Sequence, residues 1–223
     1  MKLTPRKNLR VLVTGGPTRA YLDGVRFLSN ISTGSLAFEI CRCLKTQAQT
    51  SAVVGPTVQR FAEIGLRHLR EVETSDQMLK EVLDLCRHWE PHAVIFCAAV
   101  LDFAPLRRKQ GKTPSTIKNW AVTLKPTPKI IDEVGRRYPA IARVGFKLET
   151  KKMSPRRAKT LLAKRGLAFL VVNYIQRIGP ANHQADIYHA RKHTSIRLIG
   201  KKRIARWLAL AVVASVQASE HRP

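Results

Sequence analysis

The stretch that most constrains this chain runs from Gly15 to Gly34, GGPTRAYLDGVRFLSNISTG, between the apolar run Val11 to Thr14 and the helix-like LAFEICRCL. A buried strand that passes through glycines into a loop and then a helix leaves bare backbone N–H groups beside a positive helix end, which suits a phosphate. The stretch lacks the third glycine of a dinucleotide fingerprint and the Gly-Lys-Ser/Thr ending of a P-loop. It therefore predicts a phosphate site of another kind.

The rest of the chain alternates around it. Asn8 to Thr14 reads as a strand buried on both faces, and Ser35 to Gln47 as a helix with Leu36, Ile40, Cys43 and Leu44 on one side. Ser51 to Val54 and the alternating Leu66 to Val72 read as strands, and Ser75 as the cap of a helix whose apolar positions are Met78, Val82 and Leu85. Ala93 to Ala98 is a fully apolar fourth strand. Repeated strand, helix, strand predicts one α/β domain over 1–223, a doubly wound, Rossmann-like, mostly parallel sheet. Further strands are expected at Trp120 to Leu124, Ala142 to Phe146 and Leu167 to Asn173. The chain closes with a C-terminal hairpin, Ile187–Tyr188 with Ser195–Leu198, and a helix from Lys201 to Ala218.

Ligands of such sheets lie beyond the carboxyl ends of the strands. That places Cys97-Ala98-Ala99-Val100-Leu101-Asp102-Phe103 at a nucleotide, with small alanines admitting the ligand and Asp102 accepting from a ribose or base. The segment 104–119 is polar, basic and broken by glycine and proline, a flexible flap unless a ligand orders it. Lys125-Pro126-Thr127-Pro128 leads into a helix N-terminus, another anion-accepting turn.

Forty Lys plus Arg against fifteen Asp plus Glu give a net charge of +25, which raises nucleic acid as a partner. The charge is scattered, with no aromatic stacking run and no C2H2 spacing, so a basic enzyme acting on anionic substrates accounts for it as well. No apolar run approaches the length of a membrane span, no long apolar leader follows the N-terminus, and the four cysteines have no metal-site spacing. A cytoplasmic protein is expected.

Four separated motifs carry a family resemblance. Gly16-Pro17-Thr18, Leu22-Asp23, Val25 to Asn30 and Ser32-Thr33-Gly34 form the first; Ala98-Ala99-Val100 with Asp102 and Phe103 the second; Gly111-Lys112-Thr113-Pro114-Ser115 the third; and Val144-Gly145-Phe146-Lys147-Leu148-Glu149-Thr150 the fourth. In this order they resemble phosphopantothenoylcysteine synthetase, and the resemblance spans nearly the whole chain. It implies a ligase that joins 4'-phosphopantothenate and L-cysteine, with CTP or ATP and Mg²⁺, through an acyl-nucleotidylate. It implies a homodimer and a separate flavin-dependent decarboxylase in the pathway.

The site residues carried over are these. Gly15, Gly16, Arg26, Asn30, Ser32 and Gly34 bind substrate, with Arg26 either a phosphate fork or a loop anchor. Asn30 is catalytic in the second half-reaction, its neutral amide donating to the acyl oxygen. Lys112 is the catalytic flap lysine, with Lys118 the competing assignment. Cys97, Ala98, Asp102, Lys112, Lys125, Pro126, Thr127, Pro128, Phe146, Lys159 and Lys164 face the nucleotide, Phe146 against the base, while Glu149 is a carboxylate that is either structural or supports the residues touching the ligand. Ser35 departs from the usual basic residue, Ala37 from the usual glycine and Tyr174 from the usual acid. The alternative from another class is a Rossmann-like nucleotide- or RNA-binding protein that has lost ligation.

Overall fold

In a computed structural model, which describes residues 8–179, 182–191 and 194–220, the chain folds around strand β1 (Arg10–Gly15), buried from its second residue onward. Val11, Leu12 and Val13 point alternately to opposite faces and are all fully buried, because both faces of the sheet are covered. β1 pairs in parallel with β4 (Gln49–Val54) on one side and β6 (Ala93–Phe96) on the other. β5 (Leu69–Glu71) extends the sheet past β4, and β9 (Ala142–Glu149) and β10 (Phe169–Tyr174) extend it past β6, all parallel. The antiparallel strands β11 (Gln184–His189) and β12 (Ser195–Ile199) finish an eight-stranded sheet of order β12-β11-β10-β9-β6-β1-β4-β5.

Helices α1 (Ser35–Lys45) and α5 (Lys201–Glu220) pack over one face through Ile40, Leu44, Ile204 and Leu208. The opposite face carries α2 (Ser75–His88), α3 (Ile130–Arg137) and α4 (Pro155–Arg165), which bury Met78, Val134 and Leu162. This is the expected doubly wound architecture. Its order reverses between β1 and β6, where the connection from β1 leads to one side and that from β5 to the other, leaving a crevice at their carboxyl ends.

Several elements differ from expectation. The glycine-rich stretch holds a hairpin, β2 (Arg19–Tyr21) with β3 (Phe27–Ser29), closed by Asp23, whose carboxylate accepts from the Val25 and Arg26 N–H groups. The strand expected at Trp120 to Leu124 is displaced: β8 (Leu124–Pro126) pairs antiparallel with β7 (Phe103–Pro105) as a separate ribbon. Prolines are tolerated there because a two-stranded ribbon has free edges. Of Leu66 to Val72 only three residues pair regularly, since the His68 N–H goes to the Ser51 hydroxyl instead of the ladder. Thr74, not Ser75, caps α2: its hydroxyl accepts from Gln77 N–H, and the Gln77 side chain returns to Thr74 N–H.

Candidate active site at the crevice between β1 and β6

Beyond the end of β1 the chain is stitched to the loop after β6. Gly16 O accepts from Ala99 N–H at 2.9 Å, and Thr18 Oγ1 accepts from Leu101 N–H at 3.0 Å while touching Ser75 Oγ. Gly16 has φ 71°, and a Cβ there would lie 2.8 Å from Gly55 O, so both conformation and space require glycine. Gly34 precedes α1 with φ 69°, and its own added Cβ would sit 2.8 Å from Thr57 Oγ1. No side chain caps α1 and no acid occupies its first turn, so its leading N–H groups are open to an anion. Gly15, Gly16 and Gly34 are thus brought together as expected, with Ser32 Oγ accepting from Gly34 N–H.

Asn30 lies over this seam but is oriented otherwise than expected. Its Nδ2 donates to Ala99 O at 3.1 Å and Val100 O at 3.0 Å. Two carbonyl oxygens accept only, so the NH₂ end must face them. Both donors are spent on the loop, and the expected donation to an acyl oxygen is replaced by an exposed Oδ1 acceptor.

Arg26 is decided as a loop anchor. Its Nη1 donates to Asp23 Oδ2 at 3.0 Å and Thr113 O at 3.2 Å, and its guanidinium lies 5.2 Å from the Trp120 ring centre. Asp23 is buried and also accepts from Thr113 N–H. Burial alone would raise its pKa; donation from Val25, Thr113 and Arg26 N–H overrides that and holds the carboxyl well below the usual range. With Gly24 N–H donating to Gly111 O at 2.6 Å, these bonds fasten the 104–119 segment to the hairpin. The freely swinging flap is corrected to a segment tied at Gly111 and Thr113, with Lys112 projecting into solvent between them. Lys118 is exposed as well.

The other nucleotide-side candidates divide. Ala98 N–H is held by Thr14 Oγ1, and Cys97 is partly buried, its thiol pushed up to about 12 by burial. Asp102, expected to accept from a ribose or base, is ion-paired with Lys129 through Oδ1 at the exposed rim. Thr127 donates from its hydroxyl to Leu101 O and from its N–H to Asp102 O, tying Lys125, Pro126 and Pro128 to the rim as exposed residues. Phe146, expected against the base, is half-buried and packs on one side against the core. Glu149 is ion-paired with Lys147 and Arg157. Lys159 and Lys164 lie on α4. Tyr174 donates to buried Asp186, which Arg197 grips through both Nε and Nη2. Sequence reading missed Lys201, whose Nζ reaches Ser35 Oγ at the start of α1; only a fold that sets α5 beside α1 shows it.

A family model for the DNA/pantothenate metabolism flavoprotein C-terminal domain matches residues 6–216. The chain belongs to this family. Among curated relatives, the coenzyme A biosynthesis bifunctional protein CoaBC of Thermococcus kodakarensis is 34% identical over 67% of this chain and 37% of its own length. The CoaBC protein of Borreliella burgdorferi is 28% identical over 90% of this chain and 51% of its own. The chain therefore spans about half or less of these relatives' lengths. Two solved structures share its fold: the DNA/pantothenate metabolism flavoprotein from Streptococcus pneumoniae, with TM-score 0.80, 22% identity and coverage of 93% and 99% of the two chains, and a Cab2 variant complexed with phosphopantothenate-cysteine, with TM-score 0.75, 18% identity and coverage of 97% and 90%. Among the described residues no helix is long and apolar enough to cross a membrane.

Proposed function

We propose that this chain is a phosphopantothenate:cysteine ligase of coenzyme A biosynthesis, using CTP or ATP. Membership of the pantothenate-metabolism family over residues 6–216 carries the reading. The coenzyme A biosynthesis relatives and the phosphopantothenate-cysteine complex of the Cab2 variant support the substrates. The 4'-phosphopantothenate carboxylate is a poor electrophile. Its oxygen attacks the nucleotide α-phosphorus, pyrophosphate leaves, and the cysteine amine then displaces nucleoside monophosphate from the acyl-nucleotidylate.

The residues divide that work by position. The open N-terminus of α1, with Gly16 and Gly34 beside it, seats a phosphate through backbone N–H groups. Lys112 brings charge to the triphosphate from the tied flap. Asn30 holds the Ala99–Val100 backbone with its NH₂ and offers Oδ1 to the incoming amine. Among the described residues no three His, Cys, Asp or Glu cluster to cage a metal, so Mg²⁺ fits as a companion of the triphosphate, keeping phosphate and water ligands. The same reading includes a homodimer, a cytoplasmic setting and a flavin-dependent decarboxylase activity that consumes the product.

Pyrophosphate release with 4'-phosphopantothenate and each nucleoside triphosphate, followed by cysteine, tests it. Release that requires phosphopantothenate, and an amide product that requires cysteine, are expected. Tight, base-indifferent oligonucleotide binding at about 150 mM salt, without competition by CTP, identifies a nucleic-acid-binding protein instead.

A further inference from the structure

At the carboxyl edge of the sheet, a lysine is placed against positive charge. Lys201, the first residue of α5, donates from Nζ to Ser35 Oγ, the first residue of α1, at 2.8 Å. Two helix N-termini meet there, and neither has an acidic residue in its first turn. The bond to Ser35 is the hydrogen bond that Lys201 makes among the described residues, and Ser35 brings no charge.

Its other neighbour offers no countercharge either. His183 is 5% exposed, its backbone oxygen accepts from Gly200 N–H, and its Nε2 meets Asn173 Oδ1 at 3.1 Å. Asn173 Oδ1 only accepts, so Nε2 carries the proton and Nδ1 presents a lone pair, which is buried and has no hydrogen-bond partner. Burial first and the Lys201 charge second lower its pKa to about 4, leaving the ring neutral at pH 7. A partly buried ammonium beside two positive helix ends and a neutral imidazole gains a countercharge when an anion arrives. Gly34 leads directly into Ser35, and with no side-chain cap on α1 its first-turn N–H groups are left for that anion.

We propose that Lys201 is a ligand-binding residue of the phosphate loop: a phosphate seated on the N-terminus of α1 takes the remaining N–H donors of the Lys201 ammonium, with Ser35 as the clip that holds the side chain in place. The cation that the family resemblance leads one to expect at position 35 is supplied here from the far end of the chain. The proposal rests on the ligase reading for the identity of the ligand, which is either the phosphomonoester of 4'-phosphopantothenate or the nucleotide triphosphate.

Binding measured by calorimetry, with no turnover needed, separates these. Inorganic pyrophosphate, 4'-phosphopantothenate and CTP with Mg²⁺ are titrated into the full chain, Lys201→Gln, Lys201→Arg and the double variant Ser35→Lys/Lys201→Gln. Lys201→Gln is expected to weaken at least one ligand by about 10-fold or more, as for loss of a charge-assisted hydrogen bond. Lys201→Arg should stay within a few-fold of the parent, and Ser35→Lys should restore much of the loss. Loss confined to phosphopantothenate assigns Lys201 to the phosphomonoester; loss confined to pyrophosphate and CTP assigns it to the triphosphate. Thermal unfolding without ligand should not fall in Lys201→Gln, because removing an uncompensated charge relieves repulsion. Unchanged affinity for all three ligands overturns the proposal, and so does a loss that neither Lys201→Arg nor Ser35→Lys recovers. A parent chain that binds pyrophosphate through Lys201 yet never releases it from a triphosphate sinks the ligase reading and leaves this one standing.

Discussion

At the scale of single residues, Asn30 joins loop architecture to chemistry. Its NH₂ group bridges two carbonyl oxygens, so Asn30→Asp sets a carboxylate against Ala99 O and Val100 O, and the repulsion moves the acceptor that receives the amine out of place. The variant should slow aminolysis of the activated acyl group by on the order of 10²-fold, while first-turnover pyrophosphate release persists. Rapid-quench measurement of the two half-reactions checks this; equal loss in both would make Asn30 a shaping residue only. His183 gives a pH signature of its own. Its folded pKa, about 4, lies below the unfolded value, so the unfolded chain binds the extra proton between the two. Stability therefore rises with pH across that window and is lost as pH falls from about 6.5. Urea unfolding at pH 7 and pH 5 should show the loss, and His183→Gln, which cannot take up the proton, should flatten it.

At the scale of elements, the β2–β3 hairpin and the flap act as one body because Asp23 serves both. Its carboxylate stays ionised well into acid, so the tie it makes is complete above about pH 4 and is lost only as pH falls further through the folded pKa. Asp23→Asn leaves an amide that cannot accept from every N–H now aimed at the two oxygens. Tryptic cleavage after Arg107, Arg108, Lys109 and Lys112 should accelerate by about 10-fold. With the tie intact, Lys112→Gln should impair acyl-nucleotidylate formation by on the order of 10²-fold and Lys118→Gln much less. The reverse ranking would move the flap lysine to Lys118. The central sheet was legible because β1, β6 and β10 are largely apolar on both faces, β4 ends in Ala52-Val53-Val54, and helices with clear 3.6-residue periodicity lie between strands. The two small ribbons were not, since a three-residue strand such as Arg19–Tyr21 or Leu124–Pro126 has no period to read and forms only because distant chain supplies its bonds. The same gap separates the site residues. Gly16 and Gly34 announce themselves by type, whereas the Asn30 orientation, the Arg26 anchor and Lys201 depend on partners 69, 87 and 166 residues away.

At the scale of the whole molecule, six of the thirteen exposed large apolar side chains among the described residues lie on or beside the two small ribbons. Val25 and Phe27 on the first ribbon, with Phe103, Leu106, Val122 and Leu124 on and beside the second, are all at least 36% exposed, although the net charge is +25. The paired ribbons project from the carboxyl end of the sheet, and β7–β8 has a free edge on each strand. Exposed apolar ribbons on so basic a chain are where association is least opposed, since like charge opposes it everywhere the surface is not apolar. The homodimer expected from the family resemblance is therefore predicted to form through these ribbons. Sedimentation equilibrium at about 150 mM salt should return about twice the chain mass. Leu124→Glu removes apolar area from the middle of the patch without touching a crevice residue, and it should yield a folded monomer. If the ribbons of one protomer also steady the flap of its partner, activity per chain in the dissociated variant should fall and be regained at high protein concentration. A parent chain that sediments as a monomer, or a Leu124→Glu variant that remains dimeric, moves the interface elsewhere.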